Sequence, residues 1–170
     1  MKSIFTSLLL LTVCLPSAAQ ETRETKAGYV VISKETMTLS VFGQPGNKIA
    51  EYPVAMGRNL GDKKKAGDNK TPEGEFEVQQ IQDASYWTHD FRDGKGEIKG
   101  AYGSHFIRLL TPPYKGIGIH GTHDSSSIGT RATEGCIRLR NEDLLEFVKM
   151  VYVGMPVTIL TSEKDRQADR

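Results

Sequence analysis

The chain has 170 residues, with 22 Lys and Arg against 21 Asp and Glu and a formal charge of +1. That length suits one domain with a substantial core, and the near balance of charge excludes the basic excess of a nucleic-acid binder. Seventeen glycines and several β-branched runs point to strands and tight turns rather than to a helical bundle.

Residues 1–19 read as an export signal. Lys2 supplies a positive start, Ile4 to Leu15 is an apolar stretch short for a bilayer span, and Pro16-Ser17-Ala18-Ala19 offers small residues before a cleavage point after Ala19. The expected mature protein is exported to the periplasm or cell envelope and has no transmembrane segment. Leu11-Thr12-Val13-Cys14 loosely fits a lipobox, but bulky Val13 disfavours lipid anchoring. Lys2 is the one charged residue of this segment, so basic and acidic residues beyond it balance at 21 each.

Residues 20–27 are polar and aperiodic and read as a linker to one domain over 28–162. Tyr29–Ser33 and Met37–Phe42 are predicted strands, the second with Leu39 and Val41 on a buried face. Gly43-Gln44-Pro45-Gly46 is a turn. Lys48–Met56 is a third strand, where Pro53 indicates an edge or bulge. Residues 57–70, with three consecutive lysines at 63–65, read as a solvated loop or as a rim that attracts an anionic polymer. Thr71-Pro72-Glu73-Gly74 turns into a strand over Glu75–Ile81, and residues 83–101 form a long excursion rich in Gly, Asp and aromatics. There, Tyr86, Trp87 and Tyr102 are candidates for a groove or for core packing, while His89 and His105 read as bystanders. Phe106–Leu110 and Ile117–His120 are short strands. Asn141 is placed to cap a helix running through Asp143 to Met150, with Gly154 near its stop. Pro156–Leu160 is a closing strand, and 163–170 is a charged tail expected to fray. The predicted class is mainly β, a β-sandwich or open barrel with one packed α-helix.

Once Cys14 leaves with the signal, Cys136 is the remaining cysteine. A single thiol in an exported domain has no internal disulfide partner. It is a reactive thiol, half of an intermolecular pair, or a buried apolar side chain. His120 ends a short apolar strand sixteen positions before it, and thiol chemistry needs such an imidazole. Gly135 permits a sharp turn and close substrate approach, and the N–H groups of Gly135 and Cys136 are candidates for an oxyanion hole. Arg138, two residues on, shares a face with Cys136 in extended chain.

His120-Gly121-Thr122, followed by Thr133-x-Gly135-Cys136-Ile137-Arg138-Leu139 and Asp143, resembles the signature of the L,D-transpeptidase (YkuD-type) catalytic domain. Lys70-Thr71-Pro72-x-Gly74-x-Phe76 and Pro53-Val54-Ala55-Met56-Gly57 resemble two further blocks of that family, and the likeness runs from about Tyr29 to Leu160. The resemblance implies a cofactor- and metal-free cysteine enzyme acting on peptidoglycan stem peptides; a monomer is expected. Cys136 would form a thioester with release of D-alanine, His120 would be the base, and the Gly121 carbonyl would orient it. An amine would then accept the acyl group, giving a 3→3 cross-link or attachment of a protein. Arg138, Thr133 and Glu134 are implied substrate contacts, and carbapenems are expected to acylate Cys136. Glu134 departs from the histidine common in the family at that position. It is expected to turn away from the sulfur, to pair with Arg131 or Arg138, or to receive a substrate ammonium. An L,D-carboxypeptidase or related hydrolase on the same site, and a non-catalytic wall-binding module, are the alternative functions.

Overall fold

A computed structural model describes residues 27–170 apart from 45, 92, 93 and 95. The predicted export signal, almost all of the predicted linker and Pro45 of the predicted turn lie outside the described residues. Twelve strands are present among those described. They are β1 (Ala27–Ser33), β2 (Thr38–Gly43), β3 (Lys48–Pro53), β4 (Met56–Gly57), β5 (Gly74–Asp83), β6 (Thr88–Asp90), β7 (Glu97–Lys99), β8 (His105–Leu110), β9 (Gly118–His120), β10 (Arg131–Thr133), β11 (Ile137–Arg138) and β12 (Pro156–Leu160). Two α-helices accompany them, α1 (Asn141–Phe147) and α2 (Glu163–Ala168), with a 3-10 turn at Ser125–Ser127.

Eight strands form one sheet in the order β11-β9-β8-β5-β12-β1-β2-β3. Alternation sets its inner face: in β2, Leu39 and Val41 are fully buried, and across β1 Val30 and Ile32 face the same core. The core continues through Val78, Ile107, Ile119, Ile137, Val157 and Ile159. Helix α1 closes it with Leu144 and Phe147, three residues apart and both fully buried, each contributing roughly 2–3 kcal/mol of apolar burial. Pro53 ends β3, which is the outer strand of the sheet, as a residue without an N–H favours.

The mainly β architecture agrees with the expectation from sequence; four details differ. The predicted Lys48–Met56 strand is two strands, because Val54 and Ala55 leave β3 and Met56–Gly57 pairs in parallel with β10. The aromatic excursion contains a hairpin, β6 against β7. Asn141 is the first residue of α1 and not its cap; Arg140 occupies the cap position without a side-chain bond. The tail expected to fray forms α2, capped by Ser162 Oγ, which accepts from Asp165 N–H at 3.0 Å.

The polar 57–70 loop is not wholly solvated. Lys63 is 5% exposed, and its ammonium lies 2.7 Å from Asp68. The Asp68 carboxylate also accepts from the backbone N–H groups of Lys64, Lys65 and Lys70.

Candidate active site

The turn bearing Cys136 is held on two sides. On one side, β11 pairs in parallel with β9, setting Ile137 opposite Ile119 and Arg138 opposite His120. On the other, Arg138 and Ala55 exchange backbone hydrogen bonds of 2.8 Å in both directions. Extending the β9–β11 register by one residue puts Cys136 opposite Gly118. Since alternate residues share a sheet face, Cys136, His120 and Arg138 belong to the same one.

Hydroxyls fix the turn itself. Thr133 Oγ1 donates to the Cys136 carbonyl at 2.6 Å and accepts from Gly135 N–H at 3.1 Å. Thr71 Oγ1 accepts from Gly57 N–H and donates to the Gly135 carbonyl, both at 2.9 Å. Thr71 is fully buried, so the Thr-Pro block read in the sequence anchors the cysteine turn from 65 residues upstream of it. Gly135 is required here: its φ is +130°, and an added Cβ would sit 2.7 Å from the Lys70 carbonyl oxygen. Two expectations are corrected. The Gly135 N–H is already bonded to Thr133 and is not free for an oxyanion, which leaves Cys136 N–H as the candidate. Thr133 is buried, with its hydroxyl engaged inside the turn, and does not face a substrate.

His120 is 3% exposed. Its ring stacks on Phe106 at 5.5 Å, and Tyr102 meets it edge-on at 4.9 Å. His120 Nδ1 lies 2.7 Å from the Gly121 carbonyl. A carbonyl only accepts, so Nδ1 carries the proton and Nε2 keeps its lone pair. Burial pushes the imidazole down to about 3, against the Gly121 carbonyl and with Arg138 adding to the depression. Asn141 straps this segment: its Oδ1 accepts from Thr122 N–H and its Nδ2 donates to the Thr122 carbonyl, both at 2.9 Å. Gly121 has no room for a side chain, since a Cβ would lie 2.2 Å from Asn141 Oδ1.

The Cys136 thiol is partly exposed and donates to the Gly116 carbonyl at 3.4 Å. Burial pushes it up to about 11, with Glu134 adding to the rise and the Gly118 N–H, Arg108 and Arg138 opposing it. Cysteine and histidine therefore rest as a neutral pair.

Cys136 lines a cleft of about 400 Å³ whose walls include Trp87, His89, Tyr102, Arg108, Lys115 and Glu134. Arg138 is not among the lining residues. It is 4% exposed and donates to Ser127 Oγ at 2.9 Å, with Phe91 against its guanidinium. Among the described residues, Glu134 pairs with neither Arg131 nor Arg138: its carboxylate lies 3.3 Å from His89 Nε2. Arg131 is committed to Asp165 at 2.5 Å. His89 is thus no bystander, and its other nitrogen, Nδ1, is 2.9 Å from the Tyr102 hydroxyl. Of the aromatic candidates, Trp87 and Tyr102 reach the cleft, while Tyr86 is 70% exposed. Asp143 lies in the first turn of α1, where its charge suits the helix dipole. His89 and Asn141 carried no sequence signal as site residues, because neither lies near Cys136 or His120 along the chain.

Three comparisons bear on this arrangement. The family model for the L,D-transpeptidase catalytic domain (YkuD) matches residues 27–159. A Bacillus subtilis protein bearing the name L,D-transpeptidase YkuD is 32% identical over 131 residues, covering 76% of this chain and 63% of its own length. The chain thus spans somewhat less than two thirds of that relative. Among solved structures, the helical cell shape determining protein Pgp2 of Campylobacter jejuni superposes with a TM-score of 0.60 at 25% identity, covering 85% of this chain and 53% of that one. L,D-transpeptidase 3 of Mycobacterium tuberculosis, solved with a faropenem-derived adduct, gives 0.58 at 19% identity over 78% of this chain and 60% of that one, a likeness of fold alone. With the match running from β1 to β12 and taking in both His120 and Cys136, the chain belongs to the L,D-transpeptidase catalytic-domain family.

Proposed function

We propose that this chain is an exported cysteine L,D-transpeptidase of the bacterial cell wall, acting as a monomer on peptidoglycan stem peptides. The observation that carries the reading is a partly exposed thiol on a rigid turn at a cleft, on the sheet face that bears a buried imidazole with a free Nε2. Residues 1–19 are the proposed export signal, 20–27 the linker, 28–162 the catalytic domain and 163–170 its C-terminal segment.

In the proposed reaction, the donor carbonyl at the L-centre of the third stem residue enters the cleft beside Cys136. Because the thiol rests protonated, attack is coupled to transfer of its proton to His120 Nε2. The Gly121 carbonyl holds the ring and stabilises the imidazolium as it forms, the part a carboxylate takes in other triads. Cys136 N–H faces the developing oxyanion. The imidazolium returns its proton to the amine of the departing D-alanine, leaving a thioester on Cys136. An amine acceptor then takes the acyl group. Arg108 and Lys115, on the cleft wall, offer cations to a donor carboxylate, while buried Arg138 contributes charge from behind the sulfur. No step calls on a metal or cofactor.

The test is mass spectrometry of the products from one defined stem tetrapeptide, with and without an acceptor amine. Loss of D-alanine and a cross-linked dimer are expected, with an adduct of carbapenem mass on Cys136. Both products should vanish in Cys136→Ala. Tripeptide alone would identify a hydrolase, and no turnover with no adduct on folded protein would overturn the enzymatic reading.

A further inference from the structure

Tyr102, His89 and Glu134 form a chain along the cleft wall, one hydrogen bond followed by one close ion-pair contact, that the proposed acylation does not use. The Tyr102 hydroxyl lies 2.9 Å from His89 Nδ1, and His89 Nε2 lies 3.3 Å from a Glu134 oxygen. Protons can be assigned along it. Glu134 is a carboxylate acceptor beside Nε2, so Nε2 carries the hydrogen and Nδ1 accepts from the phenol. Burial, Cys136 and Glu134 push Tyr102 up to about 12 and keep it protonated.

The chain is rigid at its inner end and open at its outer end. The Tyr102 backbone carbonyl accepts from Gly121 N–H at 2.7 Å, which ties the residue's main chain to the segment carrying His120. Its ring packs edge-on to His120 at 4.9 Å and to Phe106 at 5.6 Å. His89 and Glu134 retain 27% and 45% side-chain exposure. They also line a second recess of about 510 Å³, shared with Arg58, Asn69, Asp90 and Phe91. That recess meets the Cys136 cleft at Gly67, His89 and Glu134.

We infer that Tyr102, His89 and Glu134 are a second proton-transfer chain, which deprotonates the incoming acceptor ammonium during transfer from the thioester. This rests on the transpeptidase reading above. An amine of lysine type reaches the site as R–NH₃⁺ and has no lone pair until it loses a proton. It gives one proton to Tyr102 Oη as Tyr102 passes its own to His89 Nδ1, and Glu134 stabilises the resulting imidazolium, the logic of a Ser-His-Asp triad with a phenol in the serine's place. The freed amine attacks the thioester carbonyl, a C–N bond forms, and the C–S bond breaks with its electron pair on sulfur. The second amine proton passes through His120 to that sulfur. Tyr102, reprotonated by the amine, ends as it began, and the surplus proton held on His89 leaves by the open recess.

The experiment begins with acyl-enzyme formed from a stem tetrapeptide and verified by intact mass, in the native chain and in Tyr102→Phe and His89→Gln. Each acyl-enzyme is mixed with either Nα-acetyl-lysine amide or hydroxylamine at neutral pH. Hydroxylamine is uncharged there and needs no deprotonation before attack. Transfer to the lysine amide should fall on the order of 100-fold in both variants, while transfer to hydroxylamine holds within a few-fold of native. Rates to both nucleophiles falling together would make the two residues structural and overturn the inference, as would an unchanged rate to the ammonium. Failure of the native chain to acylate would instead remove the transpeptidase reading, and this inference with it.

Discussion

At Cys136 the surrounding protein holds the thiol up at about 11, and at His120 it holds the imidazole down at about 3. Both side chains are uncharged throughout the neutral range, so the resting site differs from a thiolate–imidazolium pair. Alkylation by iodoacetamide should therefore rise about tenfold per pH unit from pH 6 to 9. A plateau near pH 7, measured by mass spectrometry, would contradict the neutral pair. Asn141 offers a second residue-level test. Asn141→Ala leaves the N–H and carbonyl of Thr122 without their side-chain partner, which costs about 1–3 kcal/mol. It also loosens the Gly121 carbonyl that holds the imidazole. Urea denaturation should show the stability loss, and acylation should slow by more than stability accounts for. The motif residues were legible as candidates: thiol chemistry and turn geometry offered Cys136, Gly135 and His120, and the family resemblance supplied their roles. Glu134 was legible as an anomaly only, since its partner His89 lies 45 positions away on a hairpin.

Elements of ordinary length were readable and very short ones were not. β12 appears over Pro156–Leu160 as predicted, because its alternation is unbroken. β10 and β11 have three and two residues, too few to establish a period, and they form because β4 and β9 offer backbone partners. The tail shows the opposite failure. Its composition is that of a solvated end, yet Asp165 of α2 is fully buried between Lys34, Arg131 and the Gly61 N–H, and is hydrogen-bonded to Ser162 Oγ. Lys34 is equally buried and keeps Glu73 at 2.8 Å as its second partner. Asp165→Asn should cost on the order of 3 kcal/mol by leaving buried cations undercompensated, read as a lower midpoint in thermal or urea unfolding. A neutral result would return α2 to the status of a loose tail.

Across the whole molecule, the last strand of the sheet, β12, lies between β5 and β1 at its centre, while the cysteine turn sits beside the outermost strand, β11. The middle is thus knitted from distant chain segments, while the cysteine turn lies at the sheet's margin, where Ala55 pairs with Arg138. Stability of this assembly should depend on acid. Burial works to raise the Asp68 and Asp165 carboxyls, but it is outweighed. At Asp68 the Lys63 ammonium and three N–H groups prevail, and at Asp165 Ser162, the Gly61 N–H, Lys34 and Arg131 do so. Both fold with values below the ordinary 3.8. The folded state then binds fewer protons than the unfolded chain, so the contribution is complete above that value and is lost as pH falls through the folded ones. Melting followed by circular dichroism should give a steady Tm from about pH 7 to 5 and a fall below about pH 4, with a shallower fall in Asp165→Asn.

By itself the sequence determined the strand-rich class and, through the family resemblance, the Cys136, His120 and Gly135 signature, because alternation, glycine turns and motif spacing are local properties of the chain. Only the tertiary structure decided that the Gly135 N–H is occupied, that Arg138 lies buried behind the sulfur, that α2 is docked, and that Tyr102, His89 and Glu134 stand in line. Those facts depend on which distant segments share a hydrogen bond or exclude water, and no spacing along the chain encodes that.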